Sequence, residues 1–278
     1  MINELPLAVA APLHAPALLR FLRVHAVAGV ESADDSTYRR TLRLAHGPGL
    51  AELTLSTEAV HLRLDLVDPA DLPDAIARLR HLLDLDADPV VVDAVLGVVR
   101  SVRPLVRRRP GLRAPGAADG FELAAGTIVG QQVSLAGART VLSRLVAGYG
   151  EPVRDCWRLF PSAATIARLD PEVLPMPRAR GQALIGLARA VADGRLSLEL
   201  NADADETETA LLALPGVGPW TARYVRMRVS KDVDVLLDTD LAVRKVLDRL
   251  GISTADAAQC APWRSYLSHH LWAEFIAT

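Results

Sequence analysis

LPGVGPWTARYV, residues 214–225, sets two glycines and two prolines among apolar residues just ahead of a helical pattern. The preceding ETETALLAL (206–214) and the following GPWTARYVRMRV (218–229) repeat apolar residues at three and four, so the stretch reads as helix, hairpin, helix. Pro215 stops the first helix, Gly216 and Gly218 permit a very tight turn, and Pro219 occupies the first position of the second helix. Val217, between the glycines, is expected to tuck inward. Main-chain amides near Gly216, Gly218 and Trp220 then point outward at a helix N-terminus, where unpaired donors and the helix dipole favour an anion. A phosphate fits there without any lysine. A plain corner between two helices would carry the same glycines, so the rest of the chain has to decide.

With 278 residues, 50% of them hydrophobic and 23% charged, the chain can build a sizeable core in one to three domains. Met1 is not followed by the basic and apolar regions of a signal peptide, and no apolar run is long enough for a bilayer, so the expected location is cytoplasmic, with no membrane partner. A net charge of −2 argues against histone-like wrapping of DNA, yet main-chain amides can hold a phosphate backbone on a nearly neutral protein. RPLVRRRPGLR (103–113) is a local basic patch that reads either as a solvated linker or as a DNA contact. Cys156 and Cys260 have no disulfide-framework, zinc or iron–sulfur spacing and are expected to be buried apolar residues. His269 and His270, about 100° apart on a helix, make a poor metal grip.

From Leu13 to Asp86 the pattern mixes helix and strand. LHAPALLRFLRVHA (13–26) has helical spacing, while TYRRTLRL (37–44), LAELTLS (50–56) and VHLRLDL (60–66) alternate with period two, which predicts a small α+β unit with an antiparallel sheet over 1–86. The sheet signal then disappears. ADLPDAIARLRHLLDL (70–85) and DPVVVDAVLGVVRSV (88–102) read as helices, and from Phe121 short helical segments punctuated by Gly, Pro or Asp follow one another, which predicts an all-α domain over 87–278.

LPGVGPWTARYVRMRV followed by VDVLLDTDLAVRKVL (233–247) closely resembles the signature of the helix-hairpin-helix DNA glycosylase superfamily. VHAVAGVESADDSTYRRTL (24–42), GTIVGQQVSLAGA (126–138) and PWRSYLSHHLW (262–272) are similar to its bacterial AlkA branch, the 3-methyladenine DNA glycosylases, so the resemblance covers almost the whole chain. It implies two helical subdomains with a DNA cleft between them, a nucleoid-associated monomer acting on double-stranded DNA with damaged bases, and a hairpin that binds the DNA backbone through Gly216, Gly218, Trp220 and Thr221. It also implies a catalytic aspartate at Asp240, with Asp238 two residues upstream as a decoy. The base pocket it implies contains Trp220, Tyr224 and Trp272, and the gap left by a flipped base would be filled from Gln131 and Gln132, where the family carries leucine at the position of Gln132. A monovalent cation held by the carbonyls of Leu212, Leu214 and Val217 belongs to the same pattern; no other cofactor is required.

The chemistry follows from the residue types. Asp240 precedes LAVRKVLDRL (241–250) and would cap that helix in any case. An ionised carboxylate in a water-poor pocket would also stabilise the oxocarbenium character of a sugar losing a base, or orient the attacking water. Cationic alkylated purines, such as 3-methyladenine and 7-methylguanine, suit aromatic faces. Relatives that also cut the strand carry a hairpin lysine; Trp220 stands there, and Lys231 and Lys245 are the only lysines, so a monofunctional glycosylase without lyase activity is expected. Two alternatives stay open: a glycosylase for a deaminated or oxidised base, and a catalytically silent helix-hairpin-helix DNA-binding protein.

Overall fold

The computed structural model describes residues 2–277. It opens with strand β1 (Ile2–Leu7), helix α1 (Ala15–His25) and strands β2 (Glu31–Ala33), β3 (Thr37–Leu44), β4 (Gly47–Leu55) and β5 (Val60–Leu66), followed by α2 (Leu72–Leu83). The strands form one antiparallel sheet in the order β1-β5-β4-β3-β2. In β5 the alternation buries Val60, Leu62, Leu64 and Leu66, and the register sets Leu62 against Leu53 and Leu64 against Ala51. Leu18, Leu19 and Leu22 of α1, with Leu79 and Leu83 of α2, join the buried face of the sheet as a first core.

The three strands legible from alternation are all present, and the two sheet edges add to them. Pro6 interrupts β1, as an edge strand tolerates because one side of its backbone needs no partner. β2 has only three residues, too few for a period to show.

The remaining helices are α3 (Pro89–Val98), α4 (Arg103–Arg108), α5 (Gly120–Gly130), α6 (Leu135–Tyr149), α7 (Ala163–Ile166), α8 (Arg178–Ala192), α9 (Ala204–Leu212), α10 (Pro219–Val229), α11 (Leu241–Leu250), α12 (Thr254–Ala258) and α13 (Arg264–Ile276). They build two further cores. One gathers Ala125 and Ile128 of α5, Leu145 of α6, Leu184 and Leu187 of α8, and Ala222 and Val225 of α10. The other joins Val92, Leu96 and Leu105 of α3 and α4 to Val243, Val246, Leu267 and Leu271 of α11 and α13. Helix α10 belongs to both, since Met227 faces the second of them.

Three expectations change. Strand structure persists past residue 86: β6 (Pro152–Arg154) and β7 (Trp157–Arg158) form an antiparallel ribbon turned at Asp155, whose φ is 48°. Cys156 sits in that turn and is exposed, whereas Cys260 is buried as expected. Much of the basic patch is tied into the fold, with Arg103, Arg107 and Arg108 still exposed. Arg108 and Arg109 both reach the Glu274 carboxylate, Arg103 donates to the carbonyls of Gly97 and Val98, and the buried Arg113 donates to those of Ala87 and Pro12.

Candidate active site

Helix α10 presents Trp220, Tyr224 and Arg228 at four-residue intervals, which places them one above another on a single helical face. The Trp220 and Tyr224 rings stack with centroids 5.3 Å apart and planes 12° from parallel. Trp272, from α13, meets Tyr224 edge-on at 5.8 Å.

Asp240 closes this aromatic wall. Its Oδ1 accepts from the amides of Ala242 and Val243 at 2.9 and 3.0 Å, capping α11, and also from Trp272 Nε1 at 3.3 Å. Its Oδ2 accepts from Trp220 Nε1 at 3.2 Å. Capping and placement in the site therefore coexist on one carboxylate. Asp238 is exposed and is not among the cleft-lining residues.

These groups line a cleft of about 1180 Å³ between the two helical cores and the N-terminal unit. Sequence reasoning missed the wall contributed by α1. Phe21 lies edge-on to His269 at 5.2 Å, 4.3 Å from the ring of His25, and 6.4 Å from Trp272. A signal was present: Ala15, Leu18, Leu19 and Leu22 form the sheet-facing stripe of α1, and Phe21 and His25, four residues apart, fall off it. Burial, followed by the nearby Arg228 and Arg139 charges, holds His25 down to about 4, overcoming its hydrogen bond to the Phe21 carbonyl.

In the hairpin the two glycines differ. Gly216 has φ +83°, and a Cβ there would meet the Ala183 Cβ at 2.8 Å, so both conformation and space require glycine. Gly218 has an ordinary φ of −98°, and a Cβ there would meet nothing within 4 Å, so the turn does not need it for its backbone. It is the N-cap of α10 and has no side chain to cap the helix amides, which leaves that helix end open. Val217 is buried in the core, as expected.

GQQVS is a turn between α5 and α6. Gln131 donates from Nε2 to the Gly216 carbonyl at 3.0 Å and to Thr221 Oγ1 at 3.1 Å. Its amide is thus engaged by the protein, and the buried Thr221 turns its hydroxyl inward, leaving its main chain at the helix N-terminus. Gln132 is the exposed tip, with a left-handed φ of 57°. The carbonyls of Leu212, Leu214 and Val217 fall within one turn, where Leu214 accepts from Val217 N at 3.1 Å. Among the described residues no cluster of His, Cys, Asp or Glu suits a metal, and no helix is long and apolar enough to cross a membrane.

A glycine hairpin and a helix-capping aspartate facing one cleft are the marks of a helix-hairpin-helix DNA glycosylase, and comparison with known proteins agrees. The chain is 41% identical, over 97% of its length, to the probable bifunctional transcriptional activator/DNA repair enzyme AlkA of Mycobacterium tuberculosis, but spans only 56% of that longer protein. It is 32% identical to DNA-3-methyladenine glycosylase 2 of Escherichia coli K12, with 92% of each chain covered. The 3-methyladenine DNA-glycosylase from Archaeoglobus fulgidus shares the fold, with a TM-score of 0.84 over 98% of both chains at 17% identity. Residues 4–119 match the AlkA N-terminal domain. The chain belongs to the AlkA family of DNA-3-methyladenine glycosylases.

Proposed function

We propose that this protein hydrolyses the N-glycosidic bond of alkylated purines, 3-methyladenine and 7-methylguanine among them, in the base-excision repair of double-stranded DNA. The observation that carries this reading is the Asp240 carboxylate, fixed at the cleft by the indoles of Trp220 and Trp272. A silent DNA binder could cap α11 with a neutral Ser, Thr or Asn and avoid a carboxylate facing phosphates, which repel it.

The damaged nucleotide must leave the stack to reach Asp240. Gln132, at the exposed tip of its turn, fills the gap, and the open amides at the start of α10, beside Gly216, Gly218, Trp220 and Thr221, hold a backbone phosphate. The rings of Trp220, Tyr224 and Trp272 receive a cationic base. As the base departs, positive charge develops on the sugar. Asp240, held by four N–H donors before substrate arrives, stabilises that charge or orients the incoming water without rearranging.

The reaction ends at the abasic sugar. Strand cleavage needs an amine nucleophile, and the hairpin has none. Lys231 is held by Asp84 and the Ala114 carbonyl. Lys245 lines the cleft, so an adduct trapped with borohydride, mapped to Lys245, would overturn the monofunctional assignment. Carbonyl oxygens suit a monovalent cation, and the free lone pairs of Leu212, Leu214 and Val217 would hold one that braces the turn.

The test is release of free methylated bases from alkylated duplex DNA by the native protein, Asp240→Asn and Asp238→Asn. Release by the native protein and by Asp238→Asn alone supports the reading. No release while DNA still binds defeats it.

A further inference from the structure

At the far end of α10 from Trp220 lies a cation with no carboxylate partner among the described residues. Arg228 is 5% exposed and lines the cleft. Its Nη1 donates to Tyr224 Oη at 2.6 Å and its Nη2 to the Gly116 carbonyl at 2.8 Å, while its buried Nε has no partner among the described residues. The guanidinium carbon stands 4.9 Å from the centre of the Phe21 ring and 5.5 Å from that of Tyr224. Its neighbours Arg226 and Lys231 each hold an aspartate; among the described residues Arg228 pairs with no carboxylate. Burial and the Arg228 charge hold His25 and His269 below the ordinary histidine range, so the positive charge here is the arginine's. A buried, unpaired cation is costly, and its persistence in a binding cleft calls for a use.

The geometry points to Arg228 as the residue that sets this pocket's discrimination between neutral and cationic bases. The inference rests on the glycosylase reading above. Trp220 touches Asp240, and Arg228 lies eight residues further along α10, about 12 Å by helical rise. A nucleotide with its sugar at Asp240 and its base on the Trp220–Tyr224 wall lies between a fixed anion and a fixed cation.

Breaking the bond from C1′ to the ring nitrogen leaves the electron pair on the base and the positive charge on the sugar. Water then adds to C1′ and gives up a proton, which a departing anionic base takes up; when the departing base is neutral, the proton passes by way of the Asp240 carboxylate to solvent. A cationic base becomes neutral and a neutral base becomes anionic, so in both cases the base gains one negative charge at the Arg228 end while the sugar turns positive at the Asp240 end. Arg228 therefore favours the chemical step for either class. It repels only the cationic base in the ground state.

The two classes respond differently to its removal. With 7-methylguanine, Arg228→Gln should lower both the maximal single-turnover rate and the half-saturating protein concentration, leaving their ratio within about threefold of native. With hypoxanthine, a neutral purine, the rate should fall about tenfold or more with half-saturation unchanged, so the hypoxanthine-to-7-methylguanine selectivity drops by a similar factor. Arg228→Lys, which keeps the charge, should retain most of the native selectivity. A smaller folded fraction lowers both substrates alike and cancels in this ratio. Equal losses on both bases in the ratio of rate to half-saturation, or equal selectivity in the Gln and Lys variants, would overturn the role of Arg228 and leave the glycosylase reading standing. A native protein that releases neither base defeats both.

Discussion

The side-chain Nε2 of Gln131 donates to the carbonyl of Gly216 at 3.0 Å, tying the turn between α5 and α6 to the hairpin between α9 and α10. The proposed wedge and the proposed phosphate grip are thereby one mechanical unit. Gln131→Glu removes the donor and sets a carboxylate against a carbonyl, so it should cost about 1–3 kcal/mol in urea unfolding and weaken binding to abasic duplex DNA. Gln132→Ala, changing only the exposed tip, should leave unfolding unchanged and weaken lesion binding more than it slows base release. Equal unfolding midpoints for the native protein and Gln131→Glu would show that the tie carries no weight.

Asp240→Asn keeps the size of the side chain and, through Oδ1, its cap on α11, but removes the charge and the acceptor for Trp220 Nε1. Base release should fall by about a hundredfold or more, with DNA affinity retained or improved as phosphate repulsion disappears. Single-turnover release beside a gel-shift titration checks both halves, and parallel loss of release and binding would argue for a structural role alone.

The two hairpin glycines should fail in different assays. Gly216→Ala forces a left-handed residue against Ala183 and should cost about 1–3 kcal/mol of stability. Gly218→Ala has room and an ordinary φ, so its stability should stay within about 0.5 kcal/mol of native while its methyl obstructs the approach of a phosphate and lowers DNA affinity. Unfolding midpoints that move together in the two variants would refute this division.

Stability should decline as pH falls from about 6.5 toward 4. Burial lowers His25 to about 4 and His270 to about 3, and His269 shifts the same way. The unfolded chain therefore binds protons in that window and the folded chain does not, so these histidines contribute fully above the unfolded pKa and lose that contribution as pH drops. Each accounts for about 1.4 kcal/mol per pH unit while only its unfolded form titrates. The exposed His46, raised by its hydrogen bond to Asp71, works in the opposite sense. Among the described residues neither ring nitrogen of His270 has a partner, so His270→Leu should flatten the slope. Urea midpoints at pH 7, 6 and 5 measure it, and a level series would exclude the effect.

The parts of the site that were legible in sequence lie close together in the chain. Pro219 and Gly216 punctuate the hairpin, and Asp240 precedes a strongly periodic helix, so α10, α11 and the aspartate between them could be placed from local chemistry. Phe21 and His25 could not, because they reach the pocket from a helix about two hundred residues earlier and look locally like a second apolar stripe on α1. Arg108 and Arg109 misled for the complementary reason: their partner Glu274 is 166 residues beyond Arg108, and a charge run read alone looks free. β1 was missed because Asn3, Glu4 and Pro6 leave it little apolar alternation, and its partner β5 is distant in the chain.

The core shared by α3, α4, α11 and α13 has a temporal consequence. Its two halves are separated by the whole of the other helical core, so on the ribosome the sheet unit and the hairpin can be built while Val92, Leu96 and Leu105 still await Val243, Val246 and Leu271. Closing that core is a long-range event and therefore slow compared with the local helices. The Trp272 wall and the Asp240 cap arrive with the same late segment, so a nascent chain acquires its proposed phosphate grip before its proposed catalytic carboxylate.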